Sequence, residues 1–97
     1  MKKILIVDDV RLNREMLKDI LQADYEIELL ENGEQAINRI AERNDDISAI
    51  LLDLYMPIKD GFSVIAEMKK RNLMGEIPVL IISSERSVAI EKQCFNL

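Results

Sequence analysis

The stretch Ile47-Ser48-Ala49-Ile50-Leu51-Leu52-Asp53-Leu54-Tyr55-Met56-Pro57-Ile58-Lys59-Asp60-Gly61 is an apolar run that delivers one carboxylate and is then broken by proline and glycine. Apolar character without alternation marks a strand buried on both faces, the habit of parallel sheets covered by helices. Asp53 stands where that strand meets its loop. The carboxyl ends of parallel strands are where open α/β sheets place their ligands, so Asp53 is a candidate site residue as well as a candidate turn former.

A second apolar run, Ile4-Leu5-Ile6-Val7-Asp8-Asp9, also ends in acid. If the two strands are neighbours, three carboxylates meet at one edge of the sheet. Like charges that close oppose one another unless a proton or a cation lies between them. A hard divalent ion suits the set best, since Mg2+ takes oxygen ligands, commonly one or two carboxylates with waters and phosphate oxygens.

Outward from these two strands the chain alternates. Leu12, Met16, Leu17, Ile20 and Leu21 fall at helical spacing between Val10 and Ala23, with Arg14, Lys18 and Asp19 on the other side, and predict an amphipathic helix on the sheet. Tyr25-Glu26-Ile27-Glu28-Leu29-Leu30 alternates polar and apolar, as a strand at an edge does, and Asn32-Gly33 ends it. Ala36, Ile37, Ile40 and Ala41 predict a helix over 34–43, and Phe62, Ile65 and Met68 another after Gly61, closed by Lys69-Lys70-Arg71 at its carbonyl end. A loop over 72–76 containing Gly75 leads to Ile77-Pro78-Val79-Leu80-Ile81-Ile82, which reads as a further buried strand delivering Ser83 and Ser84. A last helix is expected from about Arg86, with Ile90, Cys94 and Leu97 on one face. Strand and helix in strict alternation predict right-handed crossovers and an α/β fold: a doubly wound parallel sheet with helices on both sides.

Composition narrows the function. A chain of 97 residues is one domain at most, and a net charge of -5 argues against nucleic acid or anionic membrane as a direct partner. No apolar run is long enough to span a bilayer, and Met1-Lys2-Lys3 leads straight into a short strand, so a cytoplasmic location is expected. Cys94 is the only cysteine, which excludes a disulfide framework, and reads as a small helix residue. The absence of histidine removes Ser-His-Asp and Cys-His catalysis and imidazole metal sites; any phosphohistidine must come from another molecule.

The remaining constellation is Asp8 and Asp9 after the first strand, Asp53 after the third and Ser83 after the fourth. A carboxylate beside a divalent ion can attack phosphorus to give an acyl phosphate, because the metal offsets repulsion between nucleophile and phosphoryl group. Ser83 could donate a hydrogen bond to the phosphoryl oxygens. Pro57 fixes the loop and Gly61 permits a tight approach into the next helix, so Met56-Pro57 and Asp60-Gly61 are read as structural.

In these pieces the sequence resembles the receiver domain of bacterial response regulators. They are Ile4-Leu5-Ile6-Val7-Asp8-Asp9, then Leu52-Asp53-Leu54-Tyr55-Met56-Pro57 with Asp60-Gly61, then Ile77-Pro78-Val79-Leu80-Ile81-Ile82-Ser83, and the likeness runs the whole length. The resemblance implies a flavodoxin-like sheet of order 2-1-3-4-5 and a phosphoryl group accepted by Asp53 from a histidine kinase or histidine phosphotransfer protein. It also implies Mg2+ held by Asp8, Asp9, Asp53 and the backbone carbonyl of Tyr55, and a switch hydroxyl at Ser83. Family members carry a fifth strand and helix, and the strand supplies a lysine for the phosphoryl group and an aromatic switch residue. This sequence stops before them, so a single domain over residues 1–97 of sheet order 2-1-3-4, lacking the usual last strand and helix, is expected, and the lysine role is left empty.

That truncation would leave the fourth strand, Val79 to Ile82, as an open apolar edge, and a homodimer through that edge or through exchanged last elements is expected. Two other readings compete with the phosphoacceptor. One is a phosphorylation-incompetent interaction module that oligomerises through the edge. The other is a Mg2+-dependent phosphatase with an Asp nucleophile, which wants a second Asp two positions on; Val10-Arg11 follows Asp9 and Leu54-Tyr55 follows Asp53, so that pattern fails. The expectation is a signalling module, not an enzyme.

Overall fold

The computed structural model describes residues 2–82; Ser83, Ser84, Cys94 and the helix expected from about Arg86 lie outside the described residues. The elements run β1 (Lys3–Val7), α1 (Arg11–Leu21), β2 (Glu26–Leu30), α2 (Gly33–Glu42), β3 (Ile47–Leu52), α3 (Gly61–Lys70) and β4 (Val79–Ile81). All strand pairs are parallel, in the order β2-β1-β3-β4. This is the expected order, with the alternating strand β2 at an edge.

Successive side chains of a strand point to opposite faces, and both faces of β1 are used. Leu5 and Val7 join Ile50 and Leu52 of β3, Ala36 and Ile40 of α2, and Val64, Ile65 and Met68 of α3 in one buried cluster. Each of these side chains larger than alanine contributes roughly 1.5–3 kcal/mol by leaving water. Ile4 and Ile6 point the other way and are also buried. On that face Leu17, Ile20, Leu21 and Tyr25 line a broad groove of about 490 Å³ with Ala49, Leu51 and Leu80.

Expectation and structure part in three places. Leu12, Met16 and Ile20, read as the buried face of α1, are exposed, Ile20 at 69%. Arg14, read as a solvent-side residue, is buried, because α1 begins so close to the end of β1 that its first turn folds back over the strand end. The fourth strand is shorter than expected and not fully buried: Ile77 donates its N–H to the Leu73 carbonyl in a turn, Pro78 has no N–H to offer, and Leu80 is 53% exposed at the sheet edge.

The helix ends follow from local chemistry. Asn32 and Asp60 cap α2 and α3, accepting hydrogen bonds from the Gln35 and Ser63 N–H groups at 2.8 and 3.0 Å. Asn32 is thus the start of a helix as well as the end of a strand. Helix α3 ends with Asn72 at φ 59°, while Asn72 N–H and Leu73 N–H donate back to the Lys69 and Met68 carbonyls. This is the left-handed closure in which asparagine can replace glycine.

At the amino ends of the strands, an ion-pair network ties α2 to the sheet. Arg39 bonds Glu28 and Asp46 at 2.8 and 2.7 Å, and Lys3 approaches the same two carboxylates at 3.7 and 3.4 Å. The opposite, carboxyl edge of the sheet carries the acids.

Candidate functional site

Register decides which carboxylates meet. Val7 pairs with Leu30 on one side and Leu52 on the other, so the next residues, Asp8 and Asp53, leave adjacent strands at the same level. Backbone bonds extend the ladder one step further: Asp8 N–H donates to the Leu30 carbonyl at 3.1 Å and Asp53 N–H to the Val7 carbonyl at 2.9 Å. Asp9 follows on the exposed side. The structure therefore brings together the three acids singled out from the sequence, with one carboxylate oxygen of each of Asp8, Asp9 and Asp53 within 4.8 Å of the others.

The cluster is half sunk. Asp8 and Asp53 are 2% and 7% exposed, and Asp9 faces solvent. Asp8 is held from every side. Its Oδ1 accepts the Val10 N–H at 2.9 Å, its Oδ2 accepts the Asn13 amide at 3.2 Å, and its carbonyl accepts the Arg14 guanidinium at 2.7 Å. Asp53 Oδ1 accepts the Tyr55 N–H at 3.1 Å. Tyr55 is in turn fixed by an edge-on contact with Phe62, ring centres 6.3 Å apart.

The loop after Asp53 is shaped by close approach. A Cβ on Gly61 would lie 2.4 Å from the Asp53 carbonyl oxygen, and Gly61 N–H donates to the Leu54 carbonyl at 3.0 Å. Ile58 and Lys59 adopt positive φ, 54° and 62°, and the Lys59 carbonyl accepts the Gly33 N–H at 2.9 Å, docking the loop on the start of α2. Met56 is buried. The structural reading of Met56-Pro57 and Asp60-Gly61 agrees with this: Asp60 caps a helix and Gly61 makes room.

An all-oxygen donor set suits a hard cation. Oxygens around octahedral Mg2+ at about 2.0–2.1 Å stand about 2.9–4.2 Å apart. A spread no wider than 4.8 Å needs only a small inward adjustment to fit, and the residues present fit the ion.

The whole of this framework matches one known family. The response regulator receiver domain family matches residues 4–97. The chain is a response regulator receiver domain. It is 36% identical over 70 residues to the chemotaxis protein CheY of Halobacterium salinarum, covering 71% of this chain and 57% of that one. To the response regulator MprA of Mycobacterium sp. it is 35% identical over 88 residues, covering 90% of this chain and 36% of that one. It is also 34% identical over 86 residues to a protein-glutamate methylesterase/protein-glutamine glutaminase of Syntrophomonas wolfei, of which it spans 23%. The receiver domain thus spans between about a quarter and rather more than half of these relatives. Among solved structures, Vibrio cholerae CheY4 superposes with a TM-score of 0.84 at 27% identity, covering 99% of this chain and 79% of that one. The non-phosphorylated HemR receiver domain of Leptospira biflexa does so with 0.84 at 25%, covering 99% and 75%.

Two residues of this receiver's site escaped the sequence reading, Asn13 and Arg14. Their signal was positional: a helix starting two residues after an acidic strand end places its first-turn polar side chains over that end. Ser83 lies outside the described residues, one residue beyond Ile82, whose N–H donates to the Leu52 carbonyl at 3.0 Å. Among the described residues no helix is long and apolar enough to cross a membrane.

Proposed function

We propose that this receiver domain is the phosphoacceptor of a two-component or phosphorelay pathway, with Asp53 taking a phosphoryl group from a phosphohistidine on a partner kinase or phosphotransfer protein. The observation that carries the reading is the convergence of Asp8, Asp9 and Asp53 at the carboxyl ends of β1 and β3. A Mg2+ ion held by these carboxylates and the Tyr55 carbonyl would neutralise charge on the phosphoryl oxygens. In the transfer, an Asp53 carboxylate oxygen forms a bond to phosphorus as the phosphorus–nitrogen bond to imidazole breaks. The electron pair returns to the ring nitrogen, which the kinase or solvent reprotonates. The Tyr55 N–H orients the Asp53 carboxylate, and Ser83 donates its hydroxyl to the phosphoryl group afterwards. The domain works as a signalling module; the methylesterase activity is named for a relative of which this chain spans only 23%.

The test is the intact mass of the chain after incubation with Mg2+ and acetyl phosphate. One added phosphate, absent in Asp53→Asn and absent when EDTA replaces Mg2+, is expected. A folded chain that gains no phosphate overturns the reading.

A second reading is association of two copies through β4. It is favoured by the 53% exposure of Leu80 on a strand that, among the described residues, has a neighbour on one side only. Sedimentation equilibrium would show a dimer that Leu80→Lys weakens; a monomer at high concentration removes this reading.

A further inference from the structure

We propose that Asn13 is a positioning residue of the cation site, acting through Asp8, an inference that rests on the cation-assisted phosphoacceptor reading above. Asp8 contributes the most deeply buried carboxylate of the cluster. Its orientation is set by two donors, one on each oxygen: the Val10 N–H on Oδ1 and the Asn13 side-chain amide on Oδ2. The backbone of Asp8 is fixed separately, by the Leu30 carbonyl and the Arg14 guanidinium. A carboxylate oxygen carries two lone pairs, so an oxygen that accepts one hydrogen bond keeps a second for a cation. The two donors therefore select one rotation of the carboxylate without occupying it.

The source of the two donors differs. Val10 N–H belongs to the backbone and is present whatever the side chains are. Asn13 sits in the first turn of α1, and its amide is a choice of sequence. Asn13 and Asp8 line the same groove, of about 230 Å³, whose other walls are the apolar side chains of Met16, Leu17, Ile20 and Ile82. Among the described lining residues Asn13 alone carries a hydrogen-bond donor in its side chain, so when it is lost none of the others can replace it. Removing the partner that orients a metal-ligating group typically costs 10–100-fold in metal affinity. The loss also leaves a buried carboxylate oxygen without that donor, so metal-free stability falls as well, and the affinity of the folded chain for the cation is read apart from it.

The experiment measures Mn2+ binding to the native chain, Asn13→Leu and Asn13→Gln by the loss of the free-ion electron paramagnetic resonance signal, with thermal unfolding of each in metal-free buffer. Leucine fills similar space and has no donor; glutamine keeps the amide on a longer arm. The expected result is a Kd raised about 10-fold or more in Asn13→Leu, read at a temperature where the metal-free unfolding curves show every variant folded, and partial recovery in Asn13→Gln. An Asn13→Leu Kd equal to the native value overturns the inference and leaves the cation site standing. So does equal weakening by both variants. If the native chain itself binds no Mn2+, the cation reading falls and takes this inference with it.

Discussion

Gly61 and Asp53 are packed so closely that a methyl group on Gly61 would stand 2.4 Å from the Asp53 carbonyl oxygen. The helix that follows the site is thus pressed against the backbone of the residue at its centre. Gly61→Ala must push α3 away or distort the strand end, and overpacking of this kind costs about 1–3 kcal/mol. At roughly 4–8 °C per kcal/mol for a domain of this size, a clear drop in the thermal midpoint is expected. Phosphate uptake from acetyl phosphate should fall by a larger factor than the unfolded fraction explains, because the displaced atom belongs to Asp53 itself. An unchanged midpoint in differential scanning calorimetry would refute the packing argument.

The amino edge of the sheet should set part of the acid stability. The Arg39 guanidinium hydrogen-bonded to Asp46 holds the Asp46 carboxyl below its ordinary value of 3.8, with Lys3 adding to the effect. A depressed folded-state pKa means that the native state binds fewer protons than the unfolded chain in this range. The stabilisation is therefore complete above the unfolded value and is lost as pH falls through the folded one. Asp46→Asn should lower the unfolding midpoint at pH 7, and the difference from the native chain should close progressively below about pH 4. A gap that stays constant from pH 7 to pH 2.5 in circular-dichroism melts would show that the pair does not titrate as described.

The alternation of strand and helix and the acidic strand ends were legible because both rest on short-range pattern, whereas the sheet order was implied by the family resemblance. An apolar run without alternation, ended by Asp53, and a second ended by Asp8 and Asp9 mean the same thing wherever they occur. What the pattern missed depends on distance in space. Arg14 and Asn13 look like solvent-side helix residues until α1 is placed over the end of β1. Gly75 was the residue named in the loop over 72–76, yet the left-handed position there is Asn72 and a Cβ on Gly75 would meet nothing within 4 Å. Leu12, Met16 and Ile20 have the spacing of a core face, but periodicity reports which side of a helix is apolar and not what lies against it.

The loop beyond Asp53 holds two consecutive residues in the left-handed region. For Ile58, a β-branched residue at φ 54° and 62% exposed, that conformation costs about 1–2 kcal/mol with little packing to offset it. Glycine removes the steric cost and adds about 0.5–1 kcal/mol of chain entropy to be lost on folding. Ile58→Gly should raise the urea midpoint, by up to about 1 kcal/mol in stability, with no change in the denaturant slope. A lower midpoint would mean that the isoleucine side chain contributes more than its exposure suggests.

Arg14 makes two contacts of unequal weight. Its guanidinium donates to the buried Asp8 carbonyl at 2.7 Å and lies 3.8 Å from Glu31, whose side chain is 65% exposed. An ion pair with an exposed partner contributes about 0–1 kcal/mol, whereas a buried carbonyl left without its donor costs about 1–3 kcal/mol. Arg14→Met, which keeps the packing of the stem, should therefore destabilise by about 1–3 kcal/mol, and Glu31→Gln by no more than about 0.5 kcal/mol. Added salt should leave the Arg14→Met effect nearly intact, since screening acts on the exposed pair and not on the buried bond. Equal losses from the two variants in urea unfolding, both erased by 0.5 M NaCl, would transfer the role to the ion pair and leave the backbone of Asp8 anchored by β2 alone.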